Sequence, residues 1–450
     1  VHTEPVGLVS LNHDRLHAGI VDPEMDSMRI LSETAMKFPE ALSFSSGAPH
    51  DGNHDLSKLS YYIDRYIKHL EDQGVPQQRI TRLMFQYGPV NGFIQDEVVR
   101  MLKHDEGIDV SPEAVMITHG FQEATLVALR GLFTSPDDVL LAVSPAYVGI
   151  RGAARMLDIP VRPVPEGPDG LDPEDVAAAA RAVRAAGRRP VAVYLVPDFS
   201  NPSGTVVPLE SRRRLLEVAA EEDLIILEDN PYGLFAPDGE KMPTLKSLDE
   251  QRRVVYLGSF AKSAFPGARL GYLIADQEIE GAEGAQGAEG TEGTKRTLAQ
   301  ELSKAKAMFT VGSSSLSQAV IGGMLVDHDY DLTTPTRELA AVYLERLDAT
   351  LQALAEHFPP ERYAEHGVRF NTPHGGFFVV VEVDFDADLA AMERSARDYG
   401  VSWAPMSMFH LDGGGRRAIR LGVSNLEPQA IRTGIARLAR FVADTPRTGV

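Results

Sequence analysis

The sequence predicts an α/β protein in which short strands alternate with helices, followed by a smaller α+β part. Three observations carry this expectation. Apolar, β-branched runs recur at 115–118, 138–143, 190–196, 224–227, 254–257 and 270–275, and helix-length segments separate several of them. Polar residues follow some of these runs closely: Asn201, Asp229 and Lys262 all emerge where a strand ends, which is where open α/β sheets place ligands. A long polar/apolar pattern from Thr334 to His357 then predicts a helix leading into the second part.

Composition narrows the function classes. The chain has 450 residues, 43% apolar and 24% charged, as a globular protein does. Its length allows about two to four domains. Lys+Arg 44 against Asp+Glu 64 leaves −20, which argues against nucleic acid or an anionic membrane as partner. With no cysteine there is no disulfide, zinc-thiolate site or thiol nucleophile, which fits a cytoplasmic setting. The N-terminus lacks a basic and then apolar leader, and no apolar run approaches membrane-spanning length.

Along the chain, Asp26-Ser-Met-Arg29 opens a helix to Lys37, and residues 41–49 form an extended segment with Gly47 in its closing turn. Met84-Phe-Gln-Tyr-Gly-Pro-Val-Asn-Gly92 is a turn carrying Tyr87, ahead of a helix to about Lys103. His119-Gly-Phe-Gln-Glu-Ala124 turns the strand 115–118 into a helix towards Leu132; such a turn presents free N–H groups and the helix dipole to an anion. Ser144-Pro-Ala-Tyr147 follows the next strand. An Ala/Arg-rich helix over 175–188 leads to the strand 190–196 and the turn Asn201-Pro-Ser-Gly204, and a further helix starts near Pro208. Asp229 ends so apolar a strand that it needs a cation. Lys262 lies just beyond Gly258 and Ser259, with Arg269 at the head of the run after Pro266-Gly267. The Gly/Ala/Glu tract over 278–294 cannot build a core and reads as a solvated insertion. Helices are expected over 298–308 and 316–326, and Thr334-Pro335 reads as an N-cap and first helical residue. Gly375–Val383 is expected as the first strand of the second part; Arg420, inside the apolar strand 418–423, needs an anion. Ser424-Asn-Leu-Glu427 is a capping-box pattern ahead of Pro428, and Ile431, Ile435, Leu438 and Val442 mark the buried face of the last helix.

Taken together these motifs resemble fold-type I pyridoxal 5′-phosphate (PLP) enzymes of the class I/II aminotransferase family, nearest the aminoadipate/kynurenine branch. The resemblance covers about residues 25–445. It rests on Asn201-Pro-Ser-Gly204, Asp229-x-x-Tyr232 and Ser259-Phe-Ala-Lys262…Pro-Gly-Ala-Arg269, in that order. It implies a large domain with a mostly parallel mixed sheet sandwiched by helices over 51–330, a small α+β domain over 331–450, and a segment 1–50 packing on the latter. Lys262 would form a Schiff base with PLP and then act as general base. Asp229 would hold the pyridinium nitrogen, with Asn201 and Tyr232 on the phenolic oxygen and Tyr147 stacked on the ring. Gly120, Phe121, Gln122, Ser259 and Arg269 would surround the phosphate, joined by Tyr87 of a neighbouring subunit in a homodimer. Arg420 would grip the substrate carboxylate through a bidentate fork, with Gly47, Asn201 and Arg29 near the substrate. The expected reaction moves an amino group from an L-amino acid to a 2-oxo acid.

Three departures from the family pattern are present: Phe121 and Ala261 stand where serines are usual, and Met406 stands where a glycine is usual, predicting a bulkier cavity wall. Relatives of this scaffold also catalyse β-elimination at a carbon–sulfur bond or decarboxylating oxidative deamination, so these remain alternatives. A PLP-sensing transcription regulator is the least favoured, since such proteins carry a basic DNA-binding module of about 60 residues or more. Here about 40 residues precede the first family-like segment, and the charge is −20.

Overall fold

The computed structural model describes residues 10–50, 55–167, 170–237, 241–280 and 296–447. Its first strand, β1 (Leu42–Ser43), lies apart from the main sheet. Eight strands build that sheet: β2 (Val115–Thr118), β3 (Asp138–Ser144), β4 (Val161–Gly167), β5 (Gly170–Leu171), β6 (Arg189–Leu195), β7 (Ile225–Asp229), β8 (Val254–Ser259) and β9 (Gly271–Ile274). Their order is β2-β9-β8-β7-β6-β3-β4-β5. The centre, from β4 through β3, β6 and β7 to β8, is parallel, whereas β9 runs antiparallel to β8 and β2.

The central runs are apolar throughout because both faces of this sheet are covered. Leu140 and Ala142 of β3 face one layer, with Leu227, Val255, Leu257 and the Gly120–Leu132 helix. Leu141 and Val143 face the other, against Val176, Ala180, Leu215 and Val218 of the helices Pro173–Ala185 and Leu209–Glu221. Near β2 and β9 that second face is covered by Ser57–Asp72, Gln95–Asp105 and Ser315–Asp327.

Beyond β9, β10 (Glu278–Ile279) and β11 (Arg296–Thr297) pair antiparallel, and most of the low-complexity tract 278–294 lies outside the described residues. The Thr333–His357 helix serves two cores: Tyr343 packs in the large-sheet core, and Leu347 and Leu354 in a second. That second core lies over β12 (Arg369–Phe370), β13 (Phe378–Glu382), β14 (Val401–Ser402) and β16 (Ala418–Gly422), with β15 (Ala404–Pro405) paired to β16. Four of these form an antiparallel sheet in the order β12-β13-β16-β15, while β14 pairs parallel with β1. The Pro428–Ala443 helix buries Ile431, Ile435, Leu438 and Val442 against it.

Several local expectations are corrected. Thr334 is not a cap: the helix opens at Thr333, and Asp331 Oδ1 accepts from the Thr334 N–H at 2.9 Å. β13 is not the first strand of its sheet, since β12 precedes it, and it opens at Phe378 rather than at Gly375. The capping box at Ser424 does not form, because its hydroxyl donates to the Ala48 carbonyl at 2.5 Å and Glu427 takes the N-cap position of the last helix. The alanine-rich helix starts two residues early, at Pro173, because Asp172 caps it by accepting from the Glu174 N–H. Among the described residues no helix is long and apolar enough to cross a membrane.

Candidate active site

Parallel strands ending on the same side bring their last residues together. β7 ends in Asp229, the loop after β6 carries Asn201, and β8 leads to Lys262; all three line one cavity of about 330 Å³. Ser259 Oγ accepts from the Ala261 N–H at 3.2 Å and so starts the helical turn Phe260–Ser263 that bears Lys262.

Lys262 Nζ donates to the Gly47 carbonyl at 2.7 Å, and burial, with the Arg420 guanidinium adding to it, lowers the amine to about 8. The strap carrying Gly47 lies against Phe378 so closely that a Cβ at Gly47 would stand 2.6 Å from the ring. Asp229 is 4% exposed and has no cation partner among the described residues. Burial pushes its carboxyl up to about 7, opposed by the Tyr194 hydroxyl, which donates to Oδ2 at 2.6 Å. Tyr232 is buried edge-on to Phe377 and Phe378, and burial raises its phenol.

Arg420, on β16, is 2% exposed. Nη1 donates to Asn201 Oδ1 at 2.7 Å and Nη2 to the Ser45 carbonyl at 2.5 Å, while the Phe378 and Phe409 rings flank it at 4.5 and 4.6 Å. Its Nε has no hydrogen-bond partner, no carboxylate pairs with it among the described residues, and burial lowers the group to about 10. A buried guanidinium in this condition suits an anion arriving from outside the chain.

At the far end, Gly120 opens its helix at φ 73°, and a Cβ there would come within 3.0 Å of Arg269 Nη2. The glycine therefore lets a guanidinium lie against the helix N-terminus, where both favour an anion. Phe121 meets Tyr147 edge-on at 5.9 Å, and Gln122 Nε2 donates to the Tyr147 hydroxyl at 3.4 Å. Thus Gly47, Phe121, Gln122, Tyr147, Asn201, Asp229, Tyr232, Ser259, Lys262, Arg269 and Arg420 line one cavity, and Gly120 supports its edge.

Two expected residues, Arg29 and Met406, lie away from the cavity, and Tyr87, expected at a neighbouring subunit's site, lies away from this chain's own. Arg29 does not reach the cavity: its guanidinium pairs with Asp26 and Glu33 on the outer side of the Ser27–Lys37 helix, and Met28 and Leu31 line the cavity instead. Tyr87 is 88% exposed and away from this chain's own cavity. Met406 does not line the cavity wall either; it packs with Val148, Ala404 and Phe409. Sequence reasoning does not single out Tyr194, Met28 or Leu31. The one available signal is a lone hydroxyl-bearing ring in the otherwise apolar run 190–196.

A family model described as aminotransferase class I and II matches residues 41–438. The chain is 41% identical over 435 residues to a (S)-3,5-dihydroxyphenylglycine transaminase of Amycolatopsis orientalis, covering 96% of this chain and 94% of that relative. It is 28% identical over 405 residues to a 2-aminoadipate transaminase of Thermus thermophilus, covering 89% and 90%. Among solved structures, an α-aminoadipate aminotransferase of Thermus thermophilus, complexed with N-(5′-phosphopyridoxyl)-L-leucine, superposes with TM-score 0.74 at 26% identity, covering 95% of this chain and 97% of that one.

Proposed function

The chain belongs to the aminotransferase class I and II family, and on that premise we propose how its own residues divide the work. It is a PLP-dependent enzyme that transfers an amino group between an amino acid and a 2-oxo acid.

The residues present fit this cofactor. A buried carboxylate with no cation among the described residues, Asp229, suits a pyridinium nitrogen; an arginine against a helix N-terminus suits a phosphate; and an amine lowered to about 8 suits an aldehyde. When bound, PLP supplies the aldehyde for amine exchange and a ring that accepts the electrons released at the substrate Cα.

Lys262 would hold the cofactor through Nζ and, once the substrate amine frees it, would take the Cα proton and return one as general base and acid. Asp229 would keep the ring nitrogen protonated, Tyr232 and Asn201 would serve the phenolic oxygen, and Tyr147 would stack on the ring. Ser259, Arg269 and the turn Gly120–Phe121–Gln122 hold the phosphate through the helix N-terminus. Arg420 takes the substrate carboxylate, its direction set by Asn201, with Gly47 alongside. The exposure of Tyr87 and its neighbour Phe85 supports a homodimer in which Tyr87 reaches the other subunit's phosphate. The pairing of β1 with β14 supports a segment 1–50 docked on a small domain over 331–450, with the large domain over 51–330.

The carrying observation is one cavity that joins a neutralisable amine to a buried carboxylate with no cation and a buried guanidinium with no anion among the described residues. Borohydride reduction of the PLP-reconstituted protein should place the adduct on the Lys262 peptide. On the unreduced holoenzyme, amino acids should yield 2-oxo acids and pyridoxamine phosphate. An adduct on another side chain, or pyruvate or carbon dioxide released without an acceptor, overturns the assignment.

A further inference from the structure

We propose, resting on the transaminase reading above, that a second cavity behind Met28 and Gln122 receives the distal end of a bulky neutral side chain on the amino-acid substrate. This cavity measures about 220 Å³ and shares Met28 and Gln122 with the larger one. Met28 and Gln122 line both, so these side chains belong to the wall between them. Gln122 Nε2 donates to the Tyr147 hydroxyl at 3.4 Å, and that hydroxyl stands 3.8 Å from Met28 Sδ. Methionine is unbranched with three rotatable side-chain bonds, so this part of the wall yields by a rotamer change.

The far side is mainly apolar, with Met25, Leu126, Val148 and Met156 around it. Room remains there: a Cβ at Gly152 would meet nothing nearer than Met25 Cε at 3.8 Å. At Gly149, one turn earlier, a Cβ would stand 2.3 Å from Gln122 Nε2 and 2.4 Å from the Tyr147 ring, so that glycine keeps the wall in place.

Charge sets the class of occupant. Glu24 and Arg151 are the cavity's charged residues, and they pair with each other at 3.2 Å. Arg151 also donates to the His410 and Met408 carbonyls at 3.2 and 3.3 Å. A distal carboxylate would find this cation already engaged and Glu24 repelling it. In the larger cavity the cations are Lys262, Arg269 and Arg420, which the reading above assigns to cofactor and substrate α-carboxylate. A neutral aromatic or long aliphatic side chain gains apolar contact and leaves no charge unmatched.

The test is a ratio of kcat/KM for phenylalanine over alanine in the holoenzyme. The wild type should favour phenylalanine. Gly152→Leu fills the far cavity and should lower the ratio by ~10-fold or more, while Met28→Ala thins the wall and should raise it several-fold. An unchanged ratio in Met28→Ala, or a wild type that favours alanine, overturns the proposal even where Gly152→Leu does not fold. A wild type that transaminates no amino acid sinks the underlying reading instead, whereas normal turnover with an unmoved ratio sinks this inference alone.

Discussion

The Tyr194 hydroxyl donates a 2.6 Å hydrogen bond to Asp229 Oδ2 from within the buried, C-terminal part of β6. It is the interaction that opposes burial in setting the Asp229 carboxyl, now about 7. Tyr194→Phe removes a donor to the charged form, so the carboxyl rises further. The acidic limb of the kcat/KM profile should then move to higher pH, with activity at neutral pH falling ~10-fold, as loss of a hydrogen bond to a charged group implies. An acidic limb that stays put would disconnect Tyr194 from the chemistry.

Lys262 titrates in the opposite sense. Burial and then Arg420 lower its amine from 10.5 to about 8, so the neutral, nucleophilic form grows as pH rises through about 8. Capture of PLP by the apoprotein should accelerate over that range and level off above it. Arg420→Leu removes the smaller cause, and the midpoint should shift upwards while staying below 10.5, because burial remains. The same shift acts on stability. The folded pKa lies below the unfolded one, so the unfolded chain binds more protons between about 8 and 10.5. The penalty is full below about 8 and fades as pH rises towards 10.5. Lys262→Met should therefore raise the apoprotein Tm at pH 7, with the gain shrinking by pH 10. A gain independent of pH would point to packing alone.

Much of this site is legible in the sequence because parallel strands end on one side, so Asn201, Asp229 and Lys262 can be placed from apolar runs and the polar residues after them. Arg420 is legible for a similar reason, a charge inside an apolar strand. The direction of single side chains is not. Arg29 sits three residues after Asp26 and four before Glu33, a spacing that pairs it along its own helix and turns it from the cavity. Met28 and Leu31 share the opposite stripe, yet as two apolar residues they read as core. Tyr194 likewise reads as core until the register sets it beside Leu227, two residues from Asp229. Met406 departs from expectation because the bend after β15 turns it towards Val148 and Phe409, a long-range contact with no local signal.

Gly120 is held at φ 73°, with Arg269 Nη2 3.0 Å from where a Cβ would sit. Gly120→Ala thus strains the backbone and displaces the guanidinium together, and a residue held in the left-handed region costs about 1–3 kcal/mol. The PLP dissociation constant should rise ~10-fold or more, with kcat on saturating cofactor changing less. Inorganic phosphate should also protect this variant's apoprotein against heating less than it protects the wild type. Equal affinity for PLP in the two proteins would remove this turn from the phosphate site.

Arg420→Lys separates charge from shape. The arginine spreads its donors between Asn201 Oδ1 and the Ser45 carbonyl while lying between Phe378 and Phe409. A lysine keeps the positive charge, but it has neither the fork that matches a carboxylate nor a planar group to fill the ring sandwich. KM for the amino acid should rise and kcat/KM fall ~100-fold, with the visible absorption of the bound cofactor retained. Asn201→Ala frees one end of the same guanidinium, so the two substitutions should be less than additive, with a coupling of about 1 kcal/mol or more. Full additivity would mean that Asn201 does not orient Arg420. A fall of only a few-fold at unchanged KM would mean that the substrate carboxylate binds elsewhere.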